Sequence, residues 1–129
     1  MRLTYVGITL AALALPFAAQ AQSQDAVRPL ANATAAGSVI ASTRPVVLSR
    51  LAVTAGASAG YLMVFDATTV PADGTVTPVI CRAVTANGSV AVSLDAPARF
   101  ATGLVLVFST TGCFSKTISA TAFFEYAVR

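Results

Sequence analysis

From Ser38 onward the chain is a succession of short runs rich in Val, Ile, Thr and Phe, separated every ~10 to 15 residues by Gly, Pro, Asn or Asp. β-branched and aromatic side chains suit a pleated, half-buried surface, and the punctuating residues supply turn dihedrals. The pattern predicts an all-β fold: a single antiparallel β-sandwich, jelly-roll or immunoglobulin-like, or a barrel, of about seven strands. The expected strands are 38–43, 46–54, 61–67, 77–86, 89–94, 103–109 and 116–128, the last with a break near Ala120. The Ala-Gly-Ala-Ser-Ala-Gly stretch at 55–60 and Pro71-Ala72-Asp73-Gly74 read as turns.

Asn87-Gly88, between two such runs, is the residue pair favoured by a two-residue type I′ hairpin, where both positions need positive φ. Symmetric pairing about that turn sets Thr85 opposite Val90, Ala83 opposite Val92 and Cys81 opposite Leu94. Because alternate residues share a face, Cys81, Ala83, Val90, Val92 and Leu94 are expected to point into the core. Arg82, Val84, Ser89, Ala91 and Ser93 then lie on the opposite face.

Two runs depart from one-sided alternation. Tyr61-Leu62-Met63-Val64-Phe65 and Leu104-Val105-Leu106-Val107-Phe108 are apolar on both faces, whereas a two-layer sandwich shows one face of each sheet to water. The second face is covered by the segment preceding Ser38, by another subunit, or by the tight packing of central strands. Charged residues make up 10% of the chain, against about 25% in an ordinary soluble domain, which favours contacts between copies.

The first 21 residues carry the marks of an export leader. Arg2 gives a positive start, Val6 to Ala14 is apolar apart from Thr9, and Ala19-Gln20-Ala21 is a small-x-small motif that places cleavage before Gln22. The apolar run is shorter than the ~20 residues a membrane-spanning helix needs, and Pro16 interrupts it. Residues 22–37, rich in Ala, Gln, Asn and Thr without a period, read as a flexible N-terminal arm, and 38–129 as the β-domain. The localisation expected is periplasmic or extracellular, with no membrane span after cleavage.

In an oxidising compartment an even pair of cysteines, Cys81 and Cys113, is expected to form a disulfide; the alternative is two buried free thiols. On the chain-entropy model a loop of that size stabilises by roughly 3 to 4 kcal/mol. The bridge is expected to tie the Asn87-Gly88 hairpin to the C-terminal strand across the core.

The chain has no His, which removes Ser-His and Cys-His nucleophile pairs and imidazole bases. The acids Asp66, Asp73 and Asp95 sit at turns or strand ends and read as turn formers, with Glu125 on the last strand. Ser115-Lys116-Thr117 lacks the Ser-x-x-Lys and Lys-Thr-Gly companions of a Ser/Lys hydrolase. Asn32-Ala33-Thr34 and Asn87-Gly88-Ser89 match the glycosylation pattern without bearing on activity. No catalytic, cofactor-binding or metal site is expected. The basic residues are scattered, so no nucleic-acid partner is expected.

Alternation of Phe124, Tyr126 and Val128 around Glu125, with the leader, the Cys pair and the N-terminal arm, resembles exported fimbrial subunits, whose sandwiches are completed by a partner's strand. The segments AGASAGYLMVFDATTVPADG, TPVICRAV and GLVLVFSTTGCFSKTISATAFF resemble small β-sandwich proteins from phage and prophage regions of bacterial genomes. Together these observations lead us to expect an exported, non-enzymatic structural or interaction domain. It would be an oligomeric surface or particle component that associates with itself or with another surface protein. The alternative is a periplasmic or extracellular ligand- or glycan-binding module.

Overall fold

The computed structural model describes residues 28–32 and 34–129. The expected leader and its cleavage site, Ala19, Ala21 and Gln22, lie outside the described residues. Within them the chain is all-β, with eleven strands: β1 (Arg28–Ala31), β2 (Ser38–Ser42), β3 (Val46–Ala55), β4 (Gly60–Phe65), β5 (Gly74–Thr75), β6 (Ile80–Val84), β7 (Ser89–Val92), β8 (Ala98–Phe100), β9 (Leu104–Ser109), β10 (Ser115–Lys116) and β11 (Ala122–Val128). Sheet A runs β1-β11-β3-β7, with β8 also on β3; sheet B runs β2-β9-β4-β6; β5 and β10 make a small ribbon.

Set the short β5, β8 and β10 aside, and the remaining eight strands pair first with last: β1 with β11, β2 with β9, β3 with β7, β4 with β6. This nesting is that of one long antiparallel ribbon folded over itself, the jelly-roll arrangement. It decides among the expected sandwich and barrel types. All eight strands come from one chain, so no partner strand is needed to complete the sandwich.

The core between the sheets follows from the period of two. β3 contributes Leu51, Val53 and Ala55, β4 Leu62 and Val64, β9 Leu104, Leu106 and Phe108, and β11 Ala122, Phe124 and Val128. Leu48 and Leu51, three residues apart, would face opposite ways on a regular strand, yet both are fully buried. A bulge explains this: Val128 pairs with Leu48 and Ala127 with Arg50, so Ser49 is the extra residue. Fully buried Phe100, Phe108 and Phe124 each contribute roughly 1.5 to 3 kcal/mol by leaving water.

Three expectations need correction. First, β6 and β7 do not form a hairpin: β6 bonds to β4 in sheet B and β7 to β3 in sheet A. Asn87-Gly88 belongs to a crossing between sheets. Gly88 N–H donates to Thr85 C=O at 3.0 Å, closing a four-residue turn, and positive φ occurs only at Asn87, at 54°. One positive φ at the third position is the requirement of a type II turn, not of type I′. The turn is held to the end of β3 by Asn87 N–H on Gly56 C=O and Ala55 N–H on Gly88 C=O, at 2.7 and 2.9 Å.

Second, Cys81 does not point into the core. On β6 the residues that pack against the inter-sheet core are Ile80 and Val84; Cys81, opposite Met63, packs on the other face of sheet B. On β7 the expected inward face holds, with Val90, Val92 and Leu94 against the core.

Third, residues 28–37 are not wholly a free arm. β1 pairs with β11 from Arg28↔Val128 to Ala31↔Glu125, and Ala36 exchanges both backbone hydrogen bonds with Ala122, each 2.9 Å. Pro29 is tolerated because β1 is an edge strand.

Candidate functional site

The outer face of sheet B is where the two-sided runs show their second face. Met63, Phe65, Val105 and Val107 form a second buried cluster, roofed by Ala67, Val70, Val76, Cys81 and Ile118. The roof is the chain's own: the β4–β6 connection and the segment between β9 and β11. Among the described residues these two segments supply the cover.

Several devices fix that roof. Cys81 and Cys113 are disulfide-bonded, with Cα atoms 5.8 Å apart, tying β6 to the segment after β9. The expected pair is therefore formed, but over sheet B and not across the core. β5 pairs with β10, and Val76 N–H donates to Phe114 C=O at 3.1 Å. Lys116, 1% exposed, reaches the half-exposed carboxylate of Asp73 in an ion pair. The Lys116 hydrogen bond, more than its charge, holds the Asp73 carboxyl below its ordinary pKa, with burial opposing. Gly37 lies so close beneath Ile118 that a Cβ there would come within 2.3 Å of its methyl group.

Hydroxyls complete the attachment. Buried Ser109 accepts Thr117 N–H at 3.0 Å, and Thr110 and Ser119 share a 2.6 Å hydrogen bond. The sequence gives no period by which this Ser/Thr network could have been found.

The acids are placed apart. Asp66, just past β4, accepts backbone N–H groups from Thr102 at 2.8 Å, Gly103 at 3.2 Å and Ala101 at 3.1 Å, clasping the β8–β9 turn to the β4 end. Those bonds, Thr102 and Gly103 first, hold its carboxyl below the ordinary value. Asp73 serves Lys116, Asp95 follows β7, and Glu125 stands exposed on β11. Asn32, of the first glycosylation-type motif, is engaged: its Oδ1 accepts Phe124 N–H at 2.5 Å, and its Nδ2 donates to Thr34 C=O. Ser115 is exposed while the adjacent Lys116 is buried, so the Ser-Lys-Thr segment acts as part of the roof. Among the described residues no three His, Cys, Asp or Glu side chains come together as metal ligands.

Two depressions mark the surface. One, about 210 Å³, lies over β1, β11 and β3, lined by Pro29, Leu30, Ala31, Arg50, Glu125, Tyr126 and Ala127. The other, about 390 Å³, lies at the ends of β4 and β6, beside Gly60, Tyr61, Ala83 and Thr110. Both are open to solvent and neither gathers convergent catalytic groups.

The outer face of sheet A contrasts with that of sheet B. Facing outward are Pro29 and Ala31 on β1, Phe123, Glu125 and Ala127 on β11, Val47, Arg50, Ala52 and Thr54 on β3, Ser89 and Ala91 on β7, and Arg99 on β8, with Arg129 also opposite Val47. No segment of the described chain roofs them, and most are short. This face is the extended surface the chain leaves open, and alternation in β3, β7 and β11 could have revealed it. No helix among the described residues is long and apolar enough to cross a membrane. Compared with protein-family models, curated proteins and solved structures, the chain finds no match.

Proposed function

We propose that the protein is an exported structural or interaction domain that works through its surface and associates with itself. The observation that carries this reading is the asymmetry between the two outer faces. The chain spends two segments, a disulfide and an ion pair on roofing sheet B, and leaves the outer face of sheet A without a roof among the described residues. The acids that interact strongly, Asp66 and Asp73, hold loops, which suits a scaffold better than a reaction centre. An intramolecular disulfide fits an oxidising compartment, and with the leader-like first 21 residues it supports a periplasmic or extracellular setting.

Light scattering on the mature protein across the micromolar range tests the reading. A multimer is expected; a clean monomer up to about 100 µM, a concentration that populates even weak homodimers, would contradict it.

A ligand- or glycan-binding module is the second reading, favoured by one observation: Phe114, beside Cys113, is 73% exposed. A thermal-shift screen against glycans, repeated with Phe114→Ala, separates the two. A stabilising glycan whose effect disappears in the variant selects this second reading.

A further inference from the structure

We infer that Asn87 is a site of spontaneous covalent modification: its side-chain amide is lost through a cyclic imide formed with Gly88, at a rate set by how often the 85–88 turn opens. The inference is independent of how the domain associates.

In an Asn-Gly pair the main-chain nitrogen of the glycine can attack the asparagine Cγ, because glycine carries no side chain to hinder the approach. A bond forms between Gly88 N and Asn87 Cγ, and the Cγ–Nδ2 bond breaks. Ammonia leaves with the proton that Gly88 N gives up. Water then opens the five-membered ring at either carbonyl. One opening leaves aspartate; the other leaves isoaspartate, with one more methylene in the main chain. Ammonia leaves and water enters, so the conversion balances with solvent as its co-reactant.

The chain has two asparagines, and the structure offers one to this reaction and withholds the other. Asn32 is engaged at both ends of its amide: Oδ1 accepts Phe124 N–H at 2.5 Å, and Nδ2 donates to Thr34 C=O. It also precedes an alanine, Ala33. Asn87 is exposed, precedes a glycine and sits in the turn between β6 and β7.

The same turn holds the reaction back. Gly88 N–H donates to Thr85 C=O at 3.0 Å, so the nitrogen that must attack is already engaged. Asn87 N–H is fixed on Gly56 C=O, and Gly88 C=O on Ala55 N–H, at 2.7 and 2.9 Å. The peptide joining Asn87 to Gly88 cannot swing without releasing the end of β3. Attack therefore proceeds from the fraction of molecules in which the turn is locally open. Once isoaspartate forms, its extra methylene lengthens the crossing from sheet B to sheet A where those bonds hold it.

The test ages three samples at mildly alkaline pH: the oxidised folded protein, the reduced chain unfolded in guanidinium chloride, and folded Asn87→Gly. Peptide mapping by mass spectrometry, with isoaspartate detection, reads each asparagine separately. Asn87 should convert in the folded protein about tenfold to a thousandfold more slowly than in the unfolded chain, the range of a turn that opens at a cost of roughly 1.4 to 4 kcal/mol. Asn32 should stay intact in the folded protein over the same period. Asn87→Gly, whose turn tolerates glycine, should form no isoaspartate. The aged wild type, separated by the negative charge it gains, should melt below the fresh protein. Conversion at the unfolded rate, or slowed beyond a thousandfold, would overturn the gating by the turn. Asn32 converting first, or isoaspartate in Asn87→Gly, would overturn the site. An aged form that melts with the fresh one would overturn the link between the turn and β3.

Discussion

Cys113 is bonded to Cys81 on the outer face of sheet B, where the bridge clamps the segment after β9 over Met63, Phe65, Val105 and Val107. Replacing both cysteines by Ser should therefore loosen the roof more than the inter-sheet core. A loss of about 3 to 4 kcal/mol is expected from the closed loop. At moderate temperature the variant should keep its β-sheet circular dichroism while binding a hydrophobic dye. A denaturant midpoint equal to wild type would contradict the clamp.

Asp66 accepts backbone N–H groups from Thr102, Gly103 and Ala101, and its folded pKa lies below the 3.8 of the free side chain. A depressed carboxyl stabilises the fold above its unfolded pKa, and that stabilisation is lost as pH falls through the lower folded value. Asp73, lowered by Lys116, has the same sign. Asp66→Asn should destabilise at pH 7 and flatten the fall in stability below 3.8. Denaturant melts at pH 7 and at pH 2 to 4 read both effects; an unchanged slope on acidification would show that the clasp does not hold in solution. Gly103→Ala tests the same turn, because a Cβ would come within 2.5 Å of Ala67 O and 2.7 Å of Ser42 O.

Lys116 is buried, and Asp73 is its ion-pair partner. Removing one member of such a pair leaves a charge without compensation, whereas an apolar replacement of the buried member can be neutral. Asp73→Ala should destabilise by leaving buried Lys116 without its partner, though less than in a wholly buried pair because Asp73 is 54% exposed. Lys116→Met should cost less, and the double variant should sit near Lys116→Met. Chemical denaturation of the three variants decides it, and Lys116→Met being the worst of them would reverse the argument.

Asn87 at φ 54° occupies a left-handed position that Asn and Gly tolerate. Asn87→Gly should be near neutral, and Asn87→Ala should cost about 1 kcal/mol. Gly88→Ala should also destabilise, since its Cβ would displace the Thr85 hydroxyl and sit 3.1 Å from Thr85 O. Thermal midpoints would separate this turn from the type I′ hairpin, which needs positive φ at both residues.

The strands with strong Val/Ile/Phe content were legible within a few residues, and Val46–Ala55 and Leu104–Ser109 are almost as expected. What the pattern could not show was which strands share a sheet. Asn-Gly serves several turn types, and in the run Ile80-Cys81-Arg82-Ala83-Val84 the polar Arg82 shares its alternating set with Ile80 and Val84, so the pattern pointed the wrong set inward. Pairing of β6 with β4, through a long connection, settles it in favour of Ile80 and Val84. The strands β1, β5 and β8 escaped because they are short and carry Pro, Gly, Ala or Arg, residues that only tertiary pairing makes extended. The two-sided runs correctly signalled a second covering layer. Its source lay in segments without a period, at 66–79 and 110–121, and so could not be read.

Native mass spectrometry of the protein exported by a bacterial host, in its oxidised form, tests the central claim most directly. Self-association through the face left open on sheet A predicts multiples of the mass of residues 22–129 less two hydrogens. A monomer of that mass at every concentration tried would contradict it.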